Sequence, residues 1–359
     1  MATDEGAAAP GPAAPLAPST PPDAGLLLHG DALDLPARLA ALGRSRPFDL
    51  VYLDPPFNAG GVFAARLGPG GRRGRGRAGD HDAAFGDSWG GLDAFLAMLG
   101  PRLAALREAM APAATLWLHL DRRTVHDAKV LCDRVFGRGA FRGEIIWVPG
   151  NGARGRRIPS THQTILVYTR GAEPSAPYVW NHRDPSLREN FAERSRSMHF
   201  RAVDADGRRY RERTLGGKSY RYYEDEGRAL GSVWADLPAM VANTPLRREG
   251  TGYPTQKPLG LLERIVRASS RPGDLVVDPM CGSGTTLLAA ARLGRAFVGN
   301  DLGTLAVGIS TQRLRGAGVA FEGPAAAAET PPDSATPDQT PPNSATPEEG
   351  DARGGEPEP

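Results

Sequence analysis

Residues 54 to 57 read Asp-Pro-Pro-Phe, directly after the apolar run FDLVYL. A residue before proline is held extended and consecutive prolines are stiff, so Asp54 is expected at a fixed strand tip, with Pro55 and Pro56 offering carbonyls and no N–H. Two acceptors, the Asp54 carboxylate and the Pro55 carbonyl, can hold both hydrogens of an amino group attached to an aromatic ring. That grip favours the pyramidal nitrogen such a group needs before it can act as a nucleophile, and Asp54 can take up or relay the released proton. Phe57 adds a flat face on which the ring can stack. In isolation the same residues also describe a strand closed by a Pro-Pro turn and an aromatic plug.

A second constellation lies at DPMCGSGTT, residues 278 to 286. Gly282 and Gly284 allow a tight turn and close approach of a ligand to the backbone. A dinucleotide fingerprint would place Gly or Ala where Leu287 stands, and the lysine of a phosphate-binding loop is absent, which disfavours a pyrophosphate. A nucleoside carrying an amino acid fits better, because Asp278, followed by Pro279, can accept from its ammonium while Thr285 opens the next helix. That ligand description is S-adenosylmethionine. Asp301, ending AFVGND, stands where an acid bonds ribose hydroxyls, or where it caps the following helix. In YPTQKP, Lys257 is placed to pair with the methionine carboxylate, with Thr255 and Gln256 supplying hydrogen bonds. Asp31 in HGDAL is placed to close over the adenine. Asp121, after LWLHL, lines the same cleft or caps a helix, and Cys281 reads as a small space-filler.

The elements that must position these groups alternate. FDLVYL (48–53), ATLWLHL (114–120), GEIIWV (143–148), QTILVYT (163–169) and DLVVD (274–278) are short, β-branched apolar runs of the kind buried in parallel sheets. Residues 92–110, 124–136, 259–270, 285–294 and 304–314 carry helical apolar spacing. Strands alternating with helices predict an α/β, doubly wound, mostly parallel Rossmann-like sheet with ligands at the carboxyl ends of its strands. Both motif strands end there in aspartate.

Residues 1–24 and 323–359 are rich in Ala and Pro and are expected to be disordered tails flanking a catalytic domain over 25–322. Within that domain, 58–84 reads as a mobile Gly/Arg loop beside the DPPF strand, and 150–250 as a less regular accessory region. The net charge of the 359 residues is only +2, so attraction to a polyanion must come from local clusters. Two cysteines exclude a disulfide framework and a four-cysteine zinc site, and no metal site is expected. With no membrane-spanning apolar run and no signal-peptide pattern, the chain reads as a cytoplasmic protein.

Taken in order, HGDAL, DLVYLDPPFN, AFGDSW, LWLHLD, GEIIW, HQTILVYTR, GYPTQKPLGLLERIV and VVDPMCGSGTTLLAAARLGRAFVGNDL resemble the N6-adenine/N4-cytosine amino DNA methyltransferases. The arrangement is that of the β class, a circular permutation in which the catalytic motif precedes the cofactor motif, over about residues 25–318. The resemblance implies S-adenosylmethionine as cofactor and a target-base pocket built from Asp54, Pro55, Pro56 and Phe57. It implies cofactor binding by Asp278, Gly282, Gly284, Asp301 and Thr255 to Lys257. Phe57 and Tyr253 depart from the commoner Tyr and His of the family. Adenine N6 is favoured over cytosine N4 as the methyl acceptor, because Asp in first position is more typical of the adenine enzymes. RNA or protein amide methyltransferases, which use a similar motif, usually place the cofactor motif first. A catalytically inactive DNA-binding module is disfavoured by the intact Asp54 and glycines.

Double-stranded DNA is the expected partner, with the target nucleotide flipped out of the duplex. The clusters Arg72, Arg73, Arg75, Arg77 and Arg154, Arg156, Arg157 are expected to meet phosphates. Trp180, Tyr210, Tyr220, Tyr222 and Tyr223, set among arginines, are expected to contribute to base recognition. A homodimer and a partner restriction nuclease are compatible with the family.

Overall fold

A computed structural model of the protein describes residues 25–56, 61–65, 82–87, 90–150, 158–240 and 249–324. Strands β1 (Gly25–His29) and β2 (Phe48–Leu53) are followed by β3 (Gly61–Ala65), β4 (Asp82–Asp87), β5 (Met110–Leu120), β6 (Phe141–Trp147) and β7 (Gln163–Thr169). Shorter strands come next: β8 (Arg188–Glu189), β9 (Ala202–Val203), β10 (Arg209–Leu215), β11 (Lys218–Tyr223), β12 (Arg228–Ala229) and β13 (Val233–Trp234). β14 (Leu275–Asp278) and β15 (Ala296–Asp301) complete the set. The α-helices are α1 (Leu35–Ala41), α2 (Leu92–Ala109), α3 (Val125–Phe136), α4 (Glu193–His199), α5 (Leu259–Ser269), α6 (Thr285–Arg292) and α7 (Thr304–Gly316).

Eight strands form one sheet in the order β1-β15-β14-β2-β5-β7-β6-β13. Only β7 runs against the rest, pairing antiparallel with both β5 and β6. The motif strands carry apolar residues at successive positions because both faces of this sheet are covered. On one face Val51, Leu53, Leu116 and Leu118 pack with Leu35, Leu99, Leu103 and Phe136 from α1, α2 and α3. On the other, Leu50, Tyr52, Trp117 and Val276 pack with Leu262, Ile265, Leu288 and Leu314 from α5, α6 and α7. The period-2 side-chain alternation thus feeds two cores, and burial of these side chains from water is the main favourable term for both.

The consequence for the site is one of strand order. β15, β14 and β2 are parallel neighbours. Their carboxyl ends therefore bring Asp301, Asp278 and Asp54 to one edge of the sheet, although Asp54 and Asp278 belong to opposite halves of the chain.

Two readings of the sequence change. The stretch expected as a loop over 58–84 contains β3 and is bounded by β4, which pair antiparallel with Phe63 opposite Phe85 in register; Arg72, Arg73, Arg75 and Arg77 lie outside the described residues. The accessory region is more regular than its periodicity suggested. It holds a three-stranded antiparallel sheet in the order β11-β10-β9 and a small β8-β12 pair. Its two longer strands, β10 and β11, carry charged or hydroxyl-bearing residues on both faces, so no apolar stripe marks them in the sequence. Arg154, Arg156 and Arg157 also lie outside the described residues, as do residues 1–24 and 325–359 of the expected tails 1–24 and 323–359.

Candidate active site

A cavity of about 480 Å³ opens at this edge, lined by Asp31, Asp54, Pro55, Pro56, Thr255, Gln256, Lys257, Asp278, Pro279, Gly282, Thr285 and Asp301 among others. The structure thus brings together residues from both sequence constellations. Phe57 lies outside the described residues. Gly284 is one step back, in a left-handed conformation with φ of 70°, where it starts α6.

The glycine loop is held from three sides. Gly282 also has positive φ, and a Cβ there would sit 3.1 Å from the Tyr253 ring. At Gly284 a Cβ would meet the Ser310 hydroxyl at 2.7 Å. Asp301 accepts from the backbone N–H of Gly282 and of Gly303, both at 2.8 Å, so it shapes the loop and also the entry to α7. Arg313, absent from any motif, donates to the Ser283 carbonyl and to the Thr285 hydroxyl at 2.7 Å. Burial lowers its pKa to about 10. Asp31 is bound by the Arg102 guanidinium through both carboxylate oxygens, with Nε at 2.9 Å.

At the end of β2, Asp54 is paired with a buried cation. Its Oδ2 accepts from Lys257 Nζ at 2.5 Å, while Oδ1 is buried without a hydrogen bond. Burial raises the Asp54 pKa, and the Lys257 ammonium opposes that rise. In this state Lys257 serves the Asp54 carboxylate, a pairing across 203 residues that the sequence reading did not anticipate. Gln256 is a loop staple. Its carboxamide accepts from Thr251 N and Oγ1 and donates to the Glu249 carbonyl, which fixes the turn before Lys257. Thr255 adopts φ of 59°, the one positive-φ non-glycine among the described residues. A β-branched residue there carries roughly 1–3 kcal/mol of strain, which the surrounding loop must hold.

Asp278 is almost completely buried, and desolvation lifts its pKa to about 7, with Asp54 and Asp301 adding repulsion. A buried carboxylate in that state favours a cationic ligand, whose charge would restore its ionised form. Cys281 is buried with its thiol pKa pushed well up, so it fills space and offers no thiolate. Asp121 lines the cavity and braces its own turn, accepting from Arg123 N at 2.9 Å, but it does not cap a helix: the N-cap of α3 is Thr124. Behind the cavity, the Tyr52 hydroxyl bonds His119 Nδ1 at 2.8 Å. His119 is buried with a strongly lowered pKa, mainly through desolvation, so the imidazole is neutral at pH 7. Neither Tyr52 nor His119 could be singled out from sequence, because each reads as an ordinary member of an apolar strand.

Known proteins are similar to this chain in sequence. The family model for N6_N4_Mtase, described as DNA methylase, matches residues 48–311. The type II methyltransferase M.EcaI of Enterobacter cloacae is 26% identical over 294 residues, covering 70% of this chain and 61% of that protein. The DNA adenine methyltransferase YhdJ of Escherichia coli K12 is 26% identical over 294 residues, covering 81% and 83%. Among solved structures, the PvuII DNA methyltransferase (cytosine-N4-specific) aligns with a TM-score of 0.49 at 15% identity, over 81% of this chain and 86% of that one. Since the family match spans well over half of the sequence and includes both motif strands, the chain belongs to the N6_N4_Mtase family of DNA methylases.

Proposed function

We propose that the protein methylates the exocyclic amino group of a base in double-stranded DNA, adenine N6 in preference to cytosine N4, with S-adenosylmethionine as methyl donor. The observation that carries this reading is the meeting, in one cavity, of an Asp54 carboxylate with a spare buried oxygen and the glycine loop beside the cation-seeking Asp278. The cavity fits the cofactor. Asp278 suits its ammonium, Gly282 and Gly284 leave room along the backbone, and Asp31 and Asp301 are acceptors for the nucleoside end.

The bound cofactor would supply an electrophilic methyl group on a sulfonium. All else falls to the chain. Asp54 Oδ1 and the Pro55 carbonyl accept the two amino hydrogens, turning the nitrogen lone pair out of conjugation with the base. Lys257 holds Oδ2 and favours the ionised form of Asp54 against the cost of its burial. On accepting the methyl group the base nitrogen would shed one proton, and Asp54 Oδ1 is placed to take it up. Because a duplex hides the amino group, the base must swing out to reach this pocket, and Phe57 is the ring proposed to stack on it. The preference for adenine agrees with the name of the Escherichia coli relative.

The test is modification-sensitive sequencing of DNA from cells expressing the protein. Methylated adenine at one recurrent sequence is expected; N4-methylcytosine would correct the base, and unmodified DNA would refute the reading.

A further inference from the structure

The strands β10 and β11 form a narrow ribbon whose two faces differ in charge. They join through Gly216 and Gly217, both with positive φ, the geometry of a two-residue hairpin turn that matches strand twist. The register places Arg211 opposite Tyr222, Arg213 opposite Tyr220 and Leu215 opposite Lys218, so these six side chains share one face. The other face carries Tyr210 opposite Tyr223 and Glu212 opposite Arg221.

The second face is satisfied internally. Arg221 pairs with Glu212 at 2.9 Å and lies over the Tyr210 ring, while Arg208 pairs with Asp225 and lies over Tyr223. The first face has no acid at all. No carboxylate among the described residues comes within 4.0 Å of Arg211, Arg213 or Lys218. Arg211 anchors it, with its guanidinium against the rings of Phe191, Phe200 and Tyr222. Beyond that anchor, Arg213 and Lys218 are exposed, as are Tyr220 (45%) and Leu215 (56%). A protein of net charge +2 that sets three cations with no acid beside two tyrosines on one side of an exposed ribbon, and keeps its ion pairs on the other, has built a surface for a polyanion with flat, apolar edges.

We propose that this ribbon enters the major groove of duplex DNA, with the Arg211, Arg213, Lys218, Tyr220 and Tyr222 face turned to the nucleic acid. The B-form major groove is about 12 Å wide and admits a two-stranded β-ribbon. Arg213 and Lys218 reach phosphates or guanine edges, and Tyr220 packs against the bases' outer edges. This rests on DNA being the substrate, and it adds where the duplex is gripped.

The experiment compares Arg213→Gln with Thr214→Glu, neighbours on opposite faces that change the net charge equally. Full-length proteins are titrated with a mixed-sequence 40-base-pair duplex (about four helical turns) over a range of salt. Arg213→Gln is expected to weaken binding about five- to tenfold near 0.1 M salt and to lower the salt slope by about one; Thr214→Glu stays within about twofold. Tyr220→Ala is expected to weaken binding without altering the salt slope. Equal losses from both faces, or no loss from Arg213→Gln and Tyr220→Ala, would overturn the proposal. Because methyl transfer by the wild-type protein is read separately, an active enzyme with an indifferent ribbon would sink the ribbon alone, and an inactive wild type would sink the methylation reading.

Discussion

The cleft and the ribbon are opposites in charge and in burial. The cleft gathers Asp31, Asp54, Asp278 and Asp301 around a cavity, the last two and Asp54 deeply desolvated, with Lys257 and Arg102 each tied to one of the acids. The ribbon exposes arginine, lysine and tyrosine with no acid on the same face. The net charge of +2, taken over all 359 residues, gives no sign of this difference between the two regions. A cationic cofactor calls for buried carboxylates, a polyanionic substrate calls for exposed cations, and one surface cannot serve both.

The sharpest way to break the comparison is to remove the cleft's central acid. Asp54→Ala is expected to lower methyl transfer about a thousandfold or more, while duplex affinity and S-adenosylmethionine affinity stay within a few-fold; single-turnover assays beside binding titrations read this out. Unchanged turnover would remove Asp54 from the chemistry.

Asp278→Asn acts on the cofactor alone. Losing a charged hydrogen-bond acceptor should weaken S-adenosylmethionine binding roughly ten- to a hundredfold, measured by calorimetry, with duplex affinity unaffected. The pH dependence gives this a sign. Because the folded-state pKa of Asp278 is raised from the ordinary carboxylate range to about 7, the folded protein holds that proton more tightly than the unfolded chain. Its contribution to stability is present at low pH and is lost as pH rises towards 7. A bound ammonium requires the ionised form, so cofactor binding should release a proton below about pH 7 and strengthen as pH rises through it. In Asp278→Asn both dependences flatten.

Gly284→Ala tests the frame of the cleft. The added Cβ meets Ser310 at 2.7 Å in a left-handed conformation, and a loss of about 1–3 kcal/mol in stability is expected, read by denaturant melts. At the other end of the scale, deleting residues 325–359 should leave both cofactor and duplex affinity within about twofold, since a segment of that Ala/Pro-rich composition has no core to contribute. A large loss of either would show a function in the tail.

The sequence made the cleft readable and the ribbon almost invisible, for a physical reason. FDLVYL and DLVVD announce strands buried on both faces, and Asp54, Gly282 and Gly284 follow from what proline and glycine do to a backbone. The adjacency of β2 and β14 was implied by the motifs, but the Lys257–Asp54 contact depends on how the YPTQKP loop turns, and that turn is set by Gln256 bonds to Thr251 and Glu249. Arg102 and Arg313 carry no signal in the sequence because each acts on a distant segment from an otherwise ordinary helix. In β10 and β11 polar residues occupy both faces, so no hydrophobic alternation reports the strands. Only the register separates Arg213 from Glu212.

The central claim is that Asp54 presents a DNA amino group for methylation. Its most direct test is incubation of the full-length protein with duplex DNA and S-adenosylmethionine labelled in the methyl group, followed by digestion to nucleosides and mass spectrometry. The account predicts label in N6-methyl-2′-deoxyadenosine with the wild-type protein and none with Asp54→Ala. Label on cytosine C5, on RNA or on protein in place of a DNA amino group, or equal label from the variant, would contradict it.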